Sequence, residues 1–192
     1  MSDAEVRLDA KGLRVLAHPA RVQLVHLLRK HGPSTATRLA ELMGVNSGTA
    51  SYHLRQLAAG GFVEEETERG NARERWWRAA HRETVLDDLA LVDAEADAAQ
   101  TYLQSVATTY AMHTQRALTE FPTLPGGWRD VFEISQFPLR LTVEQATELK
   151  RRLHEVLADY PRDDGPAAEG TERLAVLLYL HPEPEGDEPA PA

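Results

Sequence analysis

The sequence has no cysteine among its 192 residues. This absence excludes disulfides, thiolate zinc sites, iron–sulfur clusters and cysteine nucleophiles, and with them any redox or metal sensing through thiols. No apolar run approaches the roughly 18 residues that a membrane span requires. The opening segment MSDAEVRLDA is too acidic and polar for a secretory signal peptide. We therefore expect a cytoplasmic protein without a membrane partner.

Motifs for catalysis and for metal or cofactor binding are also missing. His154-Glu155 is not followed by the second histidine of a zinc protease, no glycine-rich phosphate or dinucleotide loop occurs, and no serine lies in a nucleophile elbow. The aspartates between Asp87 and Asp97 have no histidine one helical turn away, which favours a solvated acidic face over a metal site. We predict that the protein is not an enzyme and uses no cofactor or metal.

Charge is present in ordinary amount but is unevenly placed. With 42% hydrophobic and 27% charged residues the composition is that of a folded globular protein, and the formal net charge is -9. Residues 1–82 hold 13 Lys and Arg against 9 Asp and Glu, net +4, whereas residues 83–192 hold 8 against 21, net -13. A basic half joined to an acidic half indicates a nucleic-acid-facing domain attached to a module of another kind.

The basic half has the pattern of a helix-turn-helix. Helices are predicted over residues 19–30 and over residues 35–43, where Gly44 follows. A third helix begins at Asn46 or Ser47 and is terminated by Gly60-Gly61; its inner face carries Ala50, Leu54 and Leu57. Two helices joined by a short glycine-containing turn, the second with a polar outer face, are typical of this motif.

A β-hairpin is predicted next, with strands at residues 62–67 and 72–78 and the tight turn Arg69-Gly70-Asn71 between them. Helix-turn-helix plus hairpin is a winged helix. Neighbouring strand residues face opposite ways, so we expect one of Trp76 and Trp77 in the core and the other over the junction with the following helix.

Several short segments, in order and spacing, resemble the ArsR-type winged-helix transcriptional regulators: Leu16-Ala17-His18-Pro19-Ala20-Arg21, Leu27-Leu28, Leu39-Ala40, Ser51-Tyr52-His53-Leu54-Arg55-Gln56-Leu57 and Gly61-Phe62-Val63. The resemblance covers roughly residues 8–82. It implies a dimeric regulator that binds DNA sequence-specifically. The cysteine pair of the family's thiol-dependent metal sensors is absent, so the effector does not carry over.

The third helix is expected to enter the major groove and the hairpin to follow the phosphate backbone. The candidate DNA-binding residues are Ser47, Thr49, Ser51, Tyr52, His53, Arg55 and Gln56 on the helix and Arg69, Asn71, Arg73 and Arg75 on the wing. Two alternatives stay open. His53 either contacts a phosphate or packs under its helix, and the wing arginines, Arg78 among them, either bind phosphate or pair with the glutamates of the opposite strand.

A long helix is predicted over residues 83–120, a segment without Pro or Gly. Its apolar positions alternate steps of three and four, as in a heptad seam, and so long a helix must meet another helix along part of its length. The predicted dimerisation residues are Val85, Leu89, Val92, Ala96, Ala99, Leu103, Val106 and Tyr110.

The remaining chain is predicted to form a strand-helix-strand module. Residues 131–137, extended by 139–141, and residues 174–180 read as strands, and Thr142-Val143-Glu144-Gln145 has the form of a capping box that opens a helix. An apolar crevice beside Phe132, Ile134, Leu149 and Leu177 is the default ligand site, although core packing explains each residue singly. Residues 182–192 read as a disordered acidic tail.

The predicted fold class is thus mainly α with a small β component. Its parts are a winged helix-turn-helix at 1–82, a long dimerisation helix at 83–120, a C-terminal module for regulation or dimerisation at 128–181 and the tail at 182–192. The predicted function is a transcriptional regulator, a repressor, that binds a palindromic operator in double-stranded DNA as a homodimer. The alternatives are a winged helix that docks a partner protein, and a sensor whose C-terminal module binds a small-molecule effector and thereby controls DNA binding.

Overall fold

Capping side chains determine where the helices of the N-terminal region begin. The computed structural model describes residues 5–67, 75–161 and 169–183. The Asp9 carboxylate accepts the Gly12 N–H at 2.6 Å, and Nδ1 of His18 accepts the Ala20 N–H at 3.2 Å. The helices are α1 (Ala10–Leu16), α2 (Pro19–His31), α3 (Ala36–Met43), α4 (Ser47–Ala59), α5 (Leu89–Ala94) and α6 (Ala96–Glu120), and a 3-10 turn follows at Phe121–Thr123.

Five short strands accompany these helices: β1 (Glu5–Arg7), β2 (Ser34–Thr35), β3 (Val63–Glu65), β4 (Trp76–Ala79) and β5 (Glu83–Val85). Strands β3 and β4 are antiparallel, with Glu64 opposite Arg78, and β2 pairs with the other edge of β4. The predicted hairpin is confirmed, with shorter strands than expected. The predicted turn at residues 69–71 lies outside the described residues.

A leucine core holds α1 to α4 together. Leu13, Leu24, Leu39, Leu54 and Leu57 have no exposed surface, and Phe62 and Trp77 are buried with them. Trp76, on the opposite face of β4, is only half-buried, as the alternation along a strand predicts. Half-buried Arg29 donates to the backbone oxygen of His81 and to the Thr84 hydroxyl, which fixes α2 against the chain that follows the hairpin.

The prediction of one helix over residues 83–120 is wrong in its first third. Val85 lies in β5, which pairs in parallel with β1 through a register that the N-terminal sequence did not reveal. Asp88 then caps α5, and Glu95 breaks the helix with φ -123° and ψ 43° while its carboxylate pairs with Arg14 of α1. Local capping and an ion pair to α1 therefore override the apolar periodicity.

One face of α6 packs against α1 and α2 of its own chain. The residues buried there are Ala99, Tyr102, Ser105 and Thr109. The chain divides into two compact units, Met1–Leu124 and Pro125–Ala192, and α6 is the last long helix of the first.

The second unit contains α7 (Gly126–Val131) and α8 (Val143–Ala158). The predicted capping box is confirmed, because the Thr142 hydroxyl accepts the Gln145 N–H and the Gln145 side chain accepts the Thr142 N–H. The predicted strands are wrong: Val131 ends α7, and residues 132–142 and 171–183 have no regular secondary structure. A strand requires a neighbouring backbone to complete its hydrogen bonds, and neither apolar run forms a ladder with another described strand.

None of the described helices combines the length and the apolar character needed to cross a membrane. The segment predicted to be a disordered tail falls almost entirely outside the described residues, which end at Glu183.

Candidate nucleic-acid interface

The turn between α3 and α4 sets the direction of the second helix of the motif. Gly44 has φ +67°, a left-handed conformation that ends α3 and that side chains other than glycine rarely adopt. Two residues later Asn46 caps α4, its side chain accepting the Thr49 N–H at 2.8 Å. The sequence left Asn46 and Ser47 open as the cap, and the structure selects Asn46.

The outer face of α4 carries polar side chains and no acidic ones. Ser47, Tyr52 and Arg55 are exposed, and Thr49, Ser51 and Gln56 are half-buried beside them. No Asp or Glu occurs between Met43 and Val63. A helix face with hydroxyl, amide and guanidinium groups and no carboxylate has the donors and acceptors that base edges and phosphates require.

Arg55 and Thr49 are partly oriented by their own helix. The Arg55 Nε donates to the backbone oxygen of Ser51 at 3.2 Å, and the Thr49 hydroxyl donates to the Asn46 side chain at 3.1 Å. Arg55 is exposed to solvent.

His53 takes the second of its two predicted positions, since it packs under α4 instead of facing outward. Its side chain is 7% exposed, and its ring centroid lies 4.4 Å from that of His18. Burial is the main reason that the pKa of His53 is lowered from its ordinary value, with His18 and Arg21 adding to the effect. Its inclusion among the DNA-contacting residues is therefore corrected: it supports the helix from below.

A groove of about 360 Å³ joins the helix-turn-helix to the wing. It is lined by Thr37 at the start of α3, by Ser51 and Arg55 on α4, and by Arg75 just before β4. Sequence reasoning missed Thr37, although its position in the first turn of a capped helix was a usable signal. Two arginines and two hydroxyls in one groove can bind a phosphate group.

The two described arginines of the wing also face the glutamates of the opposite strand. Arg78 pairs with Glu64 at 2.8 Å, and Arg75 lies 3.8 Å from Glu65. The predicted alternative of cross-strand ion pairing therefore holds for both, and the looser pair leaves Arg75 able to line the groove. Arg69, Asn71 and Arg73 lie outside the described residues.

The predicted dimerisation residues are divided between two environments. Val92, Ala99 and Val106 pack against the core of their own chain, Tyr110 is half-buried, and Val85 is part of β5. Leu89, Ala96 and Leu103 are exposed, Leu89 at 77% and Leu103 at 52%. Part of the heptad pattern thus describes intrachain packing, because α6 covers α1 and α2.

A second apolar face of α6 remains outside that packing. Steps of four and seven residues place five exposed side chains on one stripe, which we call the α6 stripe: Ala96, Leu103, Ala107, Ala111 and Leu118. The 18 residues between Asp97 and Arg116 include no Asp, Glu, Lys or Arg. Exposed helix faces normally carry charge, so an uncharged stripe of this length is unusual for a helix surface in contact with water.

The predicted ligand residues lie in the second unit at its surface. Phe132, Leu149 and Leu177 are half-buried, and Ile134 is 64% exposed. The described part of this unit contains no buried residue. An enclosed apolar crevice beside these four side chains is therefore not formed within the single chain.

Comparison with known proteins identifies the motif. Residues 16–66, which contain α2, α3 and α4, match a family described as a helix-turn-helix domain. One solved structure, described as disulfide-formed AbfR, is 14% identical over 72% of this chain and 71% of that chain, with a TM-score of 0.28. No curated protein sequence matches the chain. The fold is the expected mainly helical winged helix-turn-helix, and helix-turn-helix domains bind DNA.

Proposed function

We propose that this protein is a transcriptional regulator of the ArsR type, a repressor that binds a palindromic operator as a homodimer and has no catalytic activity. The observation that carries the proposal is the outer face of α4, which presents Tyr52, Arg55 and Gln56 on a helix-turn-helix without a nearby carboxylate on the same helix. The acidic net charge of the whole chain does not oppose this reading, because the basic charge is concentrated in residues 1–82.

Sequence recognition is assigned to α4. In a major groove Arg55 can donate two hydrogen bonds to guanine, and Gln56 can make two hydrogen bonds to adenine, at N6 and N7. We assign Ser47 and Thr49, at the N-terminal end of the helix, to contacts with a phosphate or with the first base of the half-site.

Backbone contacts are assigned to the groove between α3, α4 and the wing. Arg75 and Thr37 line it from two different elements, so a phosphate bound there would fix the wing relative to the helix. These contacts carry no sequence information, and their loss is expected to weaken binding to all DNA.

The homodimer is assigned to the α6 stripe. The 25-residue helix is about 37 Å long at roughly 1.5 Å per residue, so two copies could pack side by side over several turns. The alanines at positions 96, 107 and 111 would allow close approach of the helices, and Leu103 and Leu118 would fill the space between them. A palindromic operator requires a symmetric pair that presents two copies of α4 to successive major grooves, about 34 Å apart.

In vitro selection of double-stranded DNA with the full-length protein, followed by fluorescence anisotropy on the selected site, tests the proposal. We expect a palindromic sequence, and binding that weakens steeply as the salt concentration rises. Arg55→Ala combined with Gln56→Ala should remove the preference for the selected site over random DNA, by roughly 10- to 100-fold. Arg140→Ala, which removes an exposed arginine of the second unit, is the matched control and should bind as the unchanged protein does.

Failure to enrich any sequence, together with salt-independent weak binding, would contradict the proposal and favour a winged helix that docks a protein. A selected site that the double variant still recognises would contradict only the role of α4. The two outcomes are separable because the first concerns the whole chain and the second concerns two side chains.

A further inference from the structure

A small cleft lies between α2 and α6, away from the outer face of α4. It is lined by Gln23, His26 and Lys30 from α2 and by Met112, His113 and Arg116 from α6. The space that a water-sized sphere can enter is about 30 Å³. This is enough for one small polar group and far less than the roughly 300 Å³ of a typical drug-sized ligand site.

The cleft collects positive and protonatable groups. Lys30 and Arg116 are cations, the rings of His26 and His113 meet edge to face with centroids 5.5 Å apart, and no carboxylate lines the cleft. Arg116 is anchored because its Nη2 donates to the Leu42 backbone oxygen at 3.3 Å. The two cations beside this small space create a potential that favours a negative charge, and neutral imidazole N–H groups can donate hydrogen bonds to it.

The titration of the two histidines agrees with this charge arrangement. Burial is the main cause that lowers the pKa of His26 to about 4, and His113, Lys30, His31 and Arg29 add to it. Burial also lowers the pKa of His113; Lys30 and Arg116 contribute in the same direction, and Glu120 acts in the opposite direction. Burial and the neighbouring cations therefore favour the neutral form of both imidazoles near neutral pH.

A metal ion fits this site less well than an anion does. Structural zinc takes four ligands and catalytic zinc at least three from the protein. Within the described ranges no three His, Asp or Glu side chains are grouped so that they could hold a metal. Two fixed cations beside the histidines would also repel a divalent cation.

We propose that the cleft between α2 and α6 is a binding site for a small oxyanion, a phosphate, sulfate or carboxylate group held by Lys30 and Arg116 and hydrogen-bonded by His26 and His113. The volume admits the charged group alone, and the cleft opens to solvent, so any larger organic portion would remain outside. This site is separate from the DNA-contacting surface, and the proposal does not depend on DNA binding.

A ligand bound in the cleft could influence both α4, which is proposed to read the DNA, and α6, which is proposed to form the dimer. Helix α2 packs on both α4 and α6. An anion that draws Lys30 and Arg116 together would tighten α2 against α6. Regulation of DNA affinity is the expected consequence if the function proposed above holds.

Nuclear magnetic resonance of the histidine rings in the full-length protein tests the site directly. Inorganic phosphate and, in a separate series, acetate are titrated at constant ionic strength near pH 6.5. We expect saturable shifts of the His26 and His113 signals, and a rise in the pKa of both rings, because the anion stabilises the protonated imidazolium. The two series distinguish a tetrahedral oxyanion from a carboxylate as the preferred group.

Arg116→Gln and Lys30→Gln should each weaken phosphate binding by about tenfold, since each removes one charge-assisted hydrogen bond. Arg140→Gln is the matched control and should leave the affinity unchanged. The His18 and His53 signals, which report on the packing of α2 and α4, should keep their positions in every variant that is correctly folded.

Three outcomes would overturn the proposal. The first is the absence of saturable shifts at His26 and His113 with either anion. The second is an equal shift at the exposed His154, which indicates a general ionic effect. The third is a response to Zn²⁺ with none to phosphate or acetate, which would make the histidine pair a metal site.

Discussion

The two compact units contain apolar runs of similar strength and place them in opposite environments. In the first unit the leucines of α1 to α4 are buried except Leu42, and Leu13, Leu24 and Leu39 are at 0% exposure. In the second, Phe137 is 75% exposed and Leu174 is 61% exposed. The contrast shows that apolar content alone does not make a core.

The difference lies in the elements available for packing. Each helix of the first unit offers an apolar face to at least one other helix within the same hundred residues, so burial is completed inside the chain. The described part of the second unit has one long amphipathic helix, α8, and two apolar runs. Neither run pairs with another described strand. No described residue of the second unit is buried, so burial of apolar area contributes little to its stability within the single chain.

The largest expected effect is the difference in the free energy of unfolding between two leucine truncations, one in each unit. Leu24→Ala in the first unit should lower the free energy of unfolding by about 2 to 5 kcal/mol, because it leaves a cavity in a closed core. Leu174→Ala in the second unit should cost less than about 0.5 kcal/mol, as expected for an exposed side chain. Urea unfolding followed by circular dichroism provides both values. A comparable loss from Leu174→Ala would show that another chain covers this apolar run in solution.

A charged substitution on the α6 stripe tests whether the proposed dimer interface lies in the first unit. Leu103→Asp should raise the dimer dissociation constant by about a hundredfold or more, since a carboxylate would be buried without a partner. Light scattering across a range of concentrations measures the effect. Thr108→Asp, on the same helix but off the stripe, is the matched control and should remain dimeric.

Persistence of the dimer in Leu103→Asp would move the interface away from α6. The exposed apolar runs of the second unit would then be the next surface to test, beginning with Leu141→Asp. The same measurement therefore decides which of the two units carries the interface.

Within the wing, we compare the two described arginines, Arg75 and Arg78, for which smaller changes in DNA affinity are expected. Arg75→Ala should weaken binding to all DNA and reduce the slope of log affinity against log salt by about one unit, which is the loss of one phosphate contact. Arg78→Ala should change neither, because Arg78 pairs at 2.8 Å with Glu64 and does not line the groove. Anisotropy titrations at several salt concentrations separate these cases, and equal slopes for both variants would remove Arg75 from the interface.

Much of the first unit could be predicted because its signals are local. A capping side chain, an apolar face and a terminating glycine each involve only a few neighbouring residues. These signals predicted α2, α3 and α4 of the first unit, and the capping box at Thr142 predicted α8 of the second. The polar outer face of α4 follows from the same periodicity.

Pairings between distant residues could not be read in this way. The parallel contact of β1 with β5 joins residues about 78 apart, and the burial of His53 depends on His18 in another helix. The heptad pattern of residues 83–120 failed for the same reason, since periodicity does not reveal whether the partner helix belongs to the same chain. The strands expected in the second unit likewise depend on a partner that the sequence does not specify.

The smallest expected effect concerns the pH dependence of the first unit. His18 and His53 stack under α4, and burial is the main cause that lowers the pKa of both, with Arg21 acting in the same direction. A lowered pKa means that the unfolded chain takes up protons before the folded one does. The contribution to stability is therefore complete above the ordinary histidine pKa of about 6.5 and is lost progressively as the pH falls below it.

His18→Asn isolates one of these groups, because asparagine keeps an acceptor for the Ala20 N–H and does not titrate. Below pH 6.5 the free energy of unfolding should then fall less steeply, by at most about 1.4 kcal/mol per pH unit, the limit for one proton. His154→Asn, on the exposed surface of α8 in the second unit, is the control and should leave the slope unchanged. Urea unfolding at a series of pH values between 7 and 5 gives the slopes. Identical slopes for His18→Asn and the unchanged protein would mean that the stacked pair does not link folding to pH, and that the acid sensitivity of the first unit arises elsewhere.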